Sequence, residues 1–187
     1  MAVDIFLKLS NNIKGESQDE THRNEIDVLA WNWGLTQSGT THVGSGGGGG
    51  KVNVQDITLT KYVDLATNDL IKRCTNGEHI TDGELIVRKS GGTKPVEYFR
   101  IKMQNIMITS YATGGAKDGL DRIQETLTLN FRRFEVAYTL QEDTGAAGAE
   151  TLAGWDIAEN RAVGDATTLQ DSNVLNLISS GLSGGKS

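Results

Sequence analysis

Hydrophobic residues recur at every second position along most of this chain, and that period of two limits the possible folds more than any other feature. Side chains of a strand alternate between its faces, so the pattern describes strands buried on one side. Val3, Ile5, Leu7 and Leu9 share one phase. Leu29, Trp31 and Trp33 share another within residues 25–37 and are read as core. Val52 and Val54 begin a strand whose phase shifts at Ile57 and Leu59, which places a bulge or twist near Gln55 and Asp56. Leu85 and Val87 alternate. Next, Glu97, Phe99, Ile101 and Met103 oppose Val96, Tyr98, Arg100 and Lys102, and Ile106 and Ile108 follow. Ile123, Leu127, Leu129 and Phe131 hold one phase, and Phe134, Val136, Tyr138 and Leu140 hold the other. A kink near Arg132 and Arg133 is expected, because one inserted residue exchanges the faces.

One stretch breaks the alternation. Residues 66–75 place Leu70, Ile71 and Cys74 on one helical face. Asp64 or Thr67 is suited to cap its start, Asp69 to its first turn, Lys72 and Arg73 to its last turn, and Gly77 to its stop. The expected fold is mainly β: a barrel or tightly rolled sandwich of antiparallel strands, with one short α-helix packed on it. Residues 44–51, nearly pure glycine, form an extended glycine-rich loop, and residues 114–119 form a shorter turn. One domain is expected over residues 1–163, followed by a C-terminal extension, 164–187, that lacks strand alternation.

The chain has 187 residues, enough for a core without disulfide or metal staples. A net charge of −6 disfavours nucleic-acid binding and attraction to anionic membranes, both of which need clustered lysine and arginine. Cys74 is the only cysteine, which fits folding in a reducing cytoplasm. MAVDIFLKL lacks the basic and long apolar regions of a signal peptide, and no apolar run is long enough for membrane insertion.

No catalytic, cofactor or metal constellation emerges. A phosphate-loop reading of the glycine run fails, because Ser45 stands where the first glycine is required and Val52 follows Lys51. His22, His42 and His79 are scattered and read as surface or turn residues. Asp19, Glu20, Glu25 and Asp27 cluster about a turn and read as a solvated face. Opposite Trp31 and Trp33, the positions Ala30, Asn32 and Gly34 form a small, polar face suited to lining an aqueous space.

Several stretches together resemble the haemolysin-coregulated protein (Hcp) family. They are MAVDIFLKL (1–9), KGES (14–17), EIDVLAWNWGLTQSG (25–39), KVNVQDITLTKYVD (51–64), VEYFRI (96–101), ETLTLNF (125–131) and GWDIAENRAV (154–163). The resemblance implies a phage tail-tube-like barrel that acts as a structural subunit of type VI secretion and not as an enzyme. Six copies would form a ring with a wide channel. Rings would stack inside a contractile sheath, carry a trimeric spike, and be expelled with effector proteins in the lumen. The protein would be made in the cytoplasm and secreted by the apparatus without a signal peptide.

Against that expectation, Ala30, Asn32 and Gly34 are the candidate lumen or cargo-facing residues. Ser38, Gly39, Thr40, Thr41, His42, Val43, Gly44, Ser45, Gly46, Gly47, Gly48, Gly49, Gly50 and Lys51 are the candidate ring-stacking loop. A phage tail-tube protein acting as a DNA conduit is the alternative, and a secreted effector enzyme or adhesin a third. The extension departs from short members of the family. Asp171 or Ser172 is suited to cap a helix carrying Val174, Leu175, Leu177 and Ile178 on one side, for docking on its own barrel, an adjacent ring or a partner.

Overall fold

The computed structural model describes residues 3–39, 51–89, 95–117, 122–142 and 145–164. The elements are β1 (Val3–Leu9), β2 (Ile26–Asn32), β3 (Leu35–Thr36), β4 (Asn53–Val54), β5 (Ile57–Tyr62), α1 (Thr67–Asn76), β6 (Ile80–Lys89), β7 (Val96–Gly114), β8 (Gln124–Gln141), β9 (Ala147–Asp156) and β10 (Arg161–Val163). Six strands close a barrel in the order β8–β5–β2–β1–β6–β7, with β7 returning to β8. Every pairing is antiparallel. β9 and β10 extend outward from β8, and β3 pairs β4 in a sheet of its own. The expected mainly β antiparallel barrel with one helix is the fold observed.

Both predicted phase breaks are present, and they have topological work. Gln55 and Asp56 separate β4 from β5. β8 pairs β7 along nearly its whole length, but its other edge changes partner. That edge carries β5 as far as Leu129 and β9 from Arg133 onward. Leu127, Leu129 and Phe131 are buried before the change and Phe134 after it, so the exchange of faces falls at Arg132 and Arg133. The Arg132 carbonyl there accepts a hydrogen bond of 2.9 Å from the Ile157 amide.

The phase of β2 corrects the sequence reading. Val28 pairs Lys61 and Ala30 pairs Thr60, so Leu29 is the extra residue of a bulge and lies 41% exposed. Ile26 and Val28 supply the core before the bulge. Trp31 and Trp33 point to the core after it but remain half-buried. Trp31 stacks on Phe99 at 5.7 Å, and Trp33 meets Phe134 edge-on at 4.9 Å. Val3 and Ile123, also expected inward, are exposed at strand ends, and Tyr138 and Leu140 are exposed too, because Ala137 and Thr139 take the buried side of β8 after Phe134. Phe6, of the opposite phase to Leu7, is buried by stacking on His22 at 4.2 Å.

Helix α1 begins after Ala66, whose amide bonds the Asp64 carboxylate at 2.9 Å while the Thr67 amide bonds the Asp64 carbonyl. Asp64 thus sets the entry turn without capping the helix through its side chain, and Thr67 is committed elsewhere. Gly77 ends the helix at φ +68°, donating to the Arg73 carbonyl. Leu70 is fully buried, and half-buried Cys74 packs against the core.

Candidate functional site

Four adjacent strands, β2, β5, β8 and the second half of β7, form one wall of the barrel with two unlike faces. Inward, Trp31, Leu59, Leu127 and Tyr111 lie on one rung of paired residues. Outward, the neighbouring rungs read Ala30–Thr60–Thr126–Ala112 and Asn32–Thr58–Thr128–Ser110. None of these eight outward residues is charged or aromatic. Ala30, Asn32, Ser110 and Ala112 are exposed, and the four threonines are half-buried. Neighbouring hydroxyls link the strands: Thr128 and Thr109 share a hydrogen bond of 2.7 Å, and Thr109 donates to Asp56 at 2.7 Å. Asn130 reaches the same carboxylate at 2.8 Å.

Ala30 and Asn32 therefore lie outside the core, as the alternation required. Gly34 is half-buried, with the Gln55 side chain 3.0 Å from where a Cβ would stand. The threonines of β5 and β8 were missed as part of the same face. Their signal was available in ITLT and ETLTLN, where each hydroxyl alternates with an aliphatic residue.

The inner face of this wall carries an ionic cluster that its strand phase does not announce. Lys61 continues the inward series of Ile57 and Leu59, and Glu125 precedes Leu127 in the same phase. Both are essentially unexposed. Lys61 Nζ lies 2.6 Å from Glu125 and 2.6 Å from Asp64, and also donates to the Tyr62 carbonyl. Thr67 Oγ1 donates to Glu125 at 3.0 Å, and the Tyr111 hydroxyl donates to it at 2.9 Å. The cluster ties the first turn of α1 to β5, β7 and β8. Burial pushes the Asp64 carboxyl above its ordinary value, against the opposing pull of Lys61. Burial and the hydrogen bond to Glu125 raise the Tyr111 phenol.

A second cluster lies outside the barrel, beneath residues 13–24. Arg88 binds Asp19 at 2.5 Å and Asp4 at 3.0 Å, and its guanidinium lies 5.0 Å from the centre of the Phe6 ring. His22, read as a surface or turn residue, is 4% exposed and bonds Glu25 at 2.9 Å. Its Nε2 lies 3.3 Å from Glu97 without the alignment of a hydrogen bond. The carboxylate cluster is thus divided: Asp19 and Glu25 hold this segment to the barrel, while Glu20 and Asp27 are solvated. The contacts are those of a structural clip. Among the described residues, no three His, Cys, Asp or Glu side chains are placed to hold a metal ion.

Of the candidate loop, Ser38, Gly39 and Lys51 are exposed, and residues 40–50 lie outside the described residues. The base of the loop is β3 and β4, where Leu35 pairs Val54 and Thr36 pairs Asn53. Trp33 Nε1 donates to the Gln55 carbonyl at 2.9 Å, and the Gln55 amide donates to the Gly34 carbonyl at 3.0 Å, closing this hairpin toward the barrel. Among the described residues no helix is long and apolar enough to cross a membrane.

The family model described as "Type VI secretion system effector, Hcp" matches residues 6–138. Protein hcp1 of Pseudomonas aeruginosa is 48% identical over 161 residues, which are 86% of this chain and 98% of that protein. The crystal structure of Hcp1 from Salmonella typhimurium is 36% identical, with a TM-score of 0.72, over 87% of this chain and all of that one. A structure described as a type six secretion system protein is 29% identical, with a TM-score of 0.81 over the same shares. The match of sequence and barrel together settles the relationship: the chain belongs to the Hcp family of type VI secretion proteins.

Proposed function

We propose that the protein is a tube subunit that works by assembly and mechanical delivery and not by catalysis. Six copies close a head-to-tail ring, rings stack within a contractile sheath beneath a trimeric spike, and effector proteins ride in the lumen. The observation that carries this reading is the four-strand wall. Its two ends differ, and both lack a strand partner among the described residues. On β2, the ladder to β1 covers only Ile26 and Asp27, leaving residues 28–32 without a strand on that side. On β7, the ladder to β6 stops at Ile106, leaving residues 107–114 likewise. Because β2 and β7 run in opposite directions, a rotated copy sets antiparallel edges side by side. Joining unlike edges is a heterologous contact, which closes a ring when the rotation closes. It also removes the exposed edges that invite uncontrolled pairing.

The outward rungs then become the lumen surface. Small uncharged side chains, with Asn32 and the threonines at the centre, offer cargo a wet surface without strong fixed charge. The loop of residues 38–51 is assigned to contact between rings, since its base is a two-stranded sheet separate from the barrel sheet. Light scattering and negative-stain electron microscopy of the purified protein test the reading. Rings of about six copies are expected, from the closed symmetry that homo-oligomers favour. A monomer at micromolar concentration overturns it. Shortening Gly46–Gly50 should leave rings and thermal stability unchanged while weakening stacking, because glycines bury almost no apolar surface.

A further inference from the structure

The two edges of the four-strand wall that lack a strand partner among the described residues carry a knob and a notch. On β2, the bulge against β5 extrudes Leu29, which is 41% exposed while its neighbour Val28 is buried. Leaving a leucine in water forgoes the stabilisation that burial would give it. On the opposite edge, β7 ends at Gly114, and Gly115 follows. A Cβ on Gly114 would meet nothing within 4 Å, and one on Gly115 only the Ile123 side chain, 3.9 Å away. The two glycines thus leave a notch beside the strand, and its floor is Ile123, itself 54% exposed. Val63 donates its amide to the Ile123 carbonyl and adds a second exposed aliphatic side chain there.

Knob and notch lie at the same end of the wall. Val28, Lys61, Glu125 and Thr113 form one rung, and Gly114 follows Thr113 on β7. Both also belong to the phase opposite Ala30 and Asn32: Leu29 shares the phase of Trp31, and Ile123 continues the inward series of Glu125 and Leu127. When the two edges stand side by side, Leu29 lies about two residues from the level of Gly114, an offset that strand stagger supplies when a sheet closes.

We infer that Leu29 of one copy seats in the Gly114–Gly115 notch of the next, against Ile123 and Val63, as the apolar anchor of the seam between copies. The inference rests on the ring reading above and names a contact that holds it. A second copy is the occupant because knob and notch sit on the two edges which that reading joins. A partner of another kind would meet only one of them. Paired strand edges set direction and register, whereas a side chain filling a desolvated pocket supplies a large share of an interface's strength.

A size swap on the full chain tests the seat, read by light scattering over a dilution series. Gly114 has no left-handed backbone and open space around it, so a side chain there strains nothing within one copy. Leu29→Ala empties the notch and Gly114→Leu fills it, so each should raise the concentration at which rings dissociate about tenfold or more, as losses at an anchor do. The L29A/G114L double variant returns the side chain from the other edge. It should recover to within about threefold of the parent, which independent sites would not do. Circular dichroism melts of the diluted, dissociated proteins should coincide, because both positions are exposed in one copy. Rings in the parent that neither single variant weakens overturn this contact and leave the ring reading standing. Single variants that weaken rings without recovery in the double variant also overturn it. A parent that stays monomeric overturns the ring reading itself, and the contact with it.

Discussion

Lys61 and Arg88 are both buried cations held by two carboxylates, but water reaches only one of the two clusters. Lys61 and Glu125 are unexposed and Asp64 nearly so, and their remaining hydrogen-bonding capacity is met by Tyr62, Thr67 and Tyr111. Around Arg88 the carboxylates are wetter, with Asp19 24% and Asp4 37% exposed. In the dry cluster the cost of removing charges from water largely cancels their attraction, so its value is specificity: it fixes where α1 meets the wall. In the wetter cluster desolvation is smaller, and the clip holds residues 13–24 over Phe6. Placement, more than distance, separates the two.

The largest effect should come from breaking the dry cluster on one side. Lys61→Met or Glu125→Gln should each cost about 3–5 kcal/mol in urea denaturation, because the abandoned partner stays buried. The K61M/E125Q double variant should cost clearly less than the two single losses added together. Full additivity would show that water enters and that the contrast is false.

Asp19→Asn comes next, at about 1.5–3 kcal/mol at neutral pH, the range for hydrogen bonds to charged groups. The pH dependence should then separate the clusters by sign. The hydrogen bond from Arg88 holds the Asp19 carboxyl well below its ordinary value of 3.8. Its contribution is therefore present above pH 3.8 and lost as pH falls through the folded-state value. Asp64 is shifted upward by burial, so its contribution is present below pH 3.8 and lost as pH rises through the folded-state value. Stability measured against D19N should grow with rising pH, and against D64N it should shrink. Slopes of the same sign would place Asp64 in a wetter site than its burial indicates.

The smallest effect should be on the outer wall. Asn32→Lys should change stability by no more than about 0.5 kcal/mol, as exposed substitutions usually do, and leave rings intact. A loss of several kcal/mol would mean that the outward rung is packed against something and is not an open face.

The wall itself was half legible. Asn32 and Ala30 were found because Trp31 and Trp33 marked the opposite phase. Their partners were not grouped with them, since Thr58, Thr60, Thr126, Thr128, Ser110 and Ala112 lie on other strands, and alternation does not say which strands are neighbours. Leu29 misled because it keeps the phase of Trp31 and Trp33, so the bulge there leaves no break in the apolar alternation. His22 and Asp19 were misread because their partners, Phe6 and Arg88, are distant in sequence.

The sequence alone determined the six barrel strands, helix α1, its Gly77 stop, and the breaks at Gln55–Asp56 and Arg132–Arg133. Each of these depends on residues within a few positions of one another, where periodicity and local backbone chemistry decide the outcome. It also carried the family, through stretches spread along the barrel. Only the tertiary structure decided that Lys61 and Glu125 occupy core positions as a pair, that β8 changes partner midway, and that the wall ends in two edges without a strand partner among the described residues. Those features rest on contacts between distant segments. A lysine at an inward position is an error of pattern until the fold brings a carboxylate within 2.6 Å, and the energy that permits it belongs to the pair.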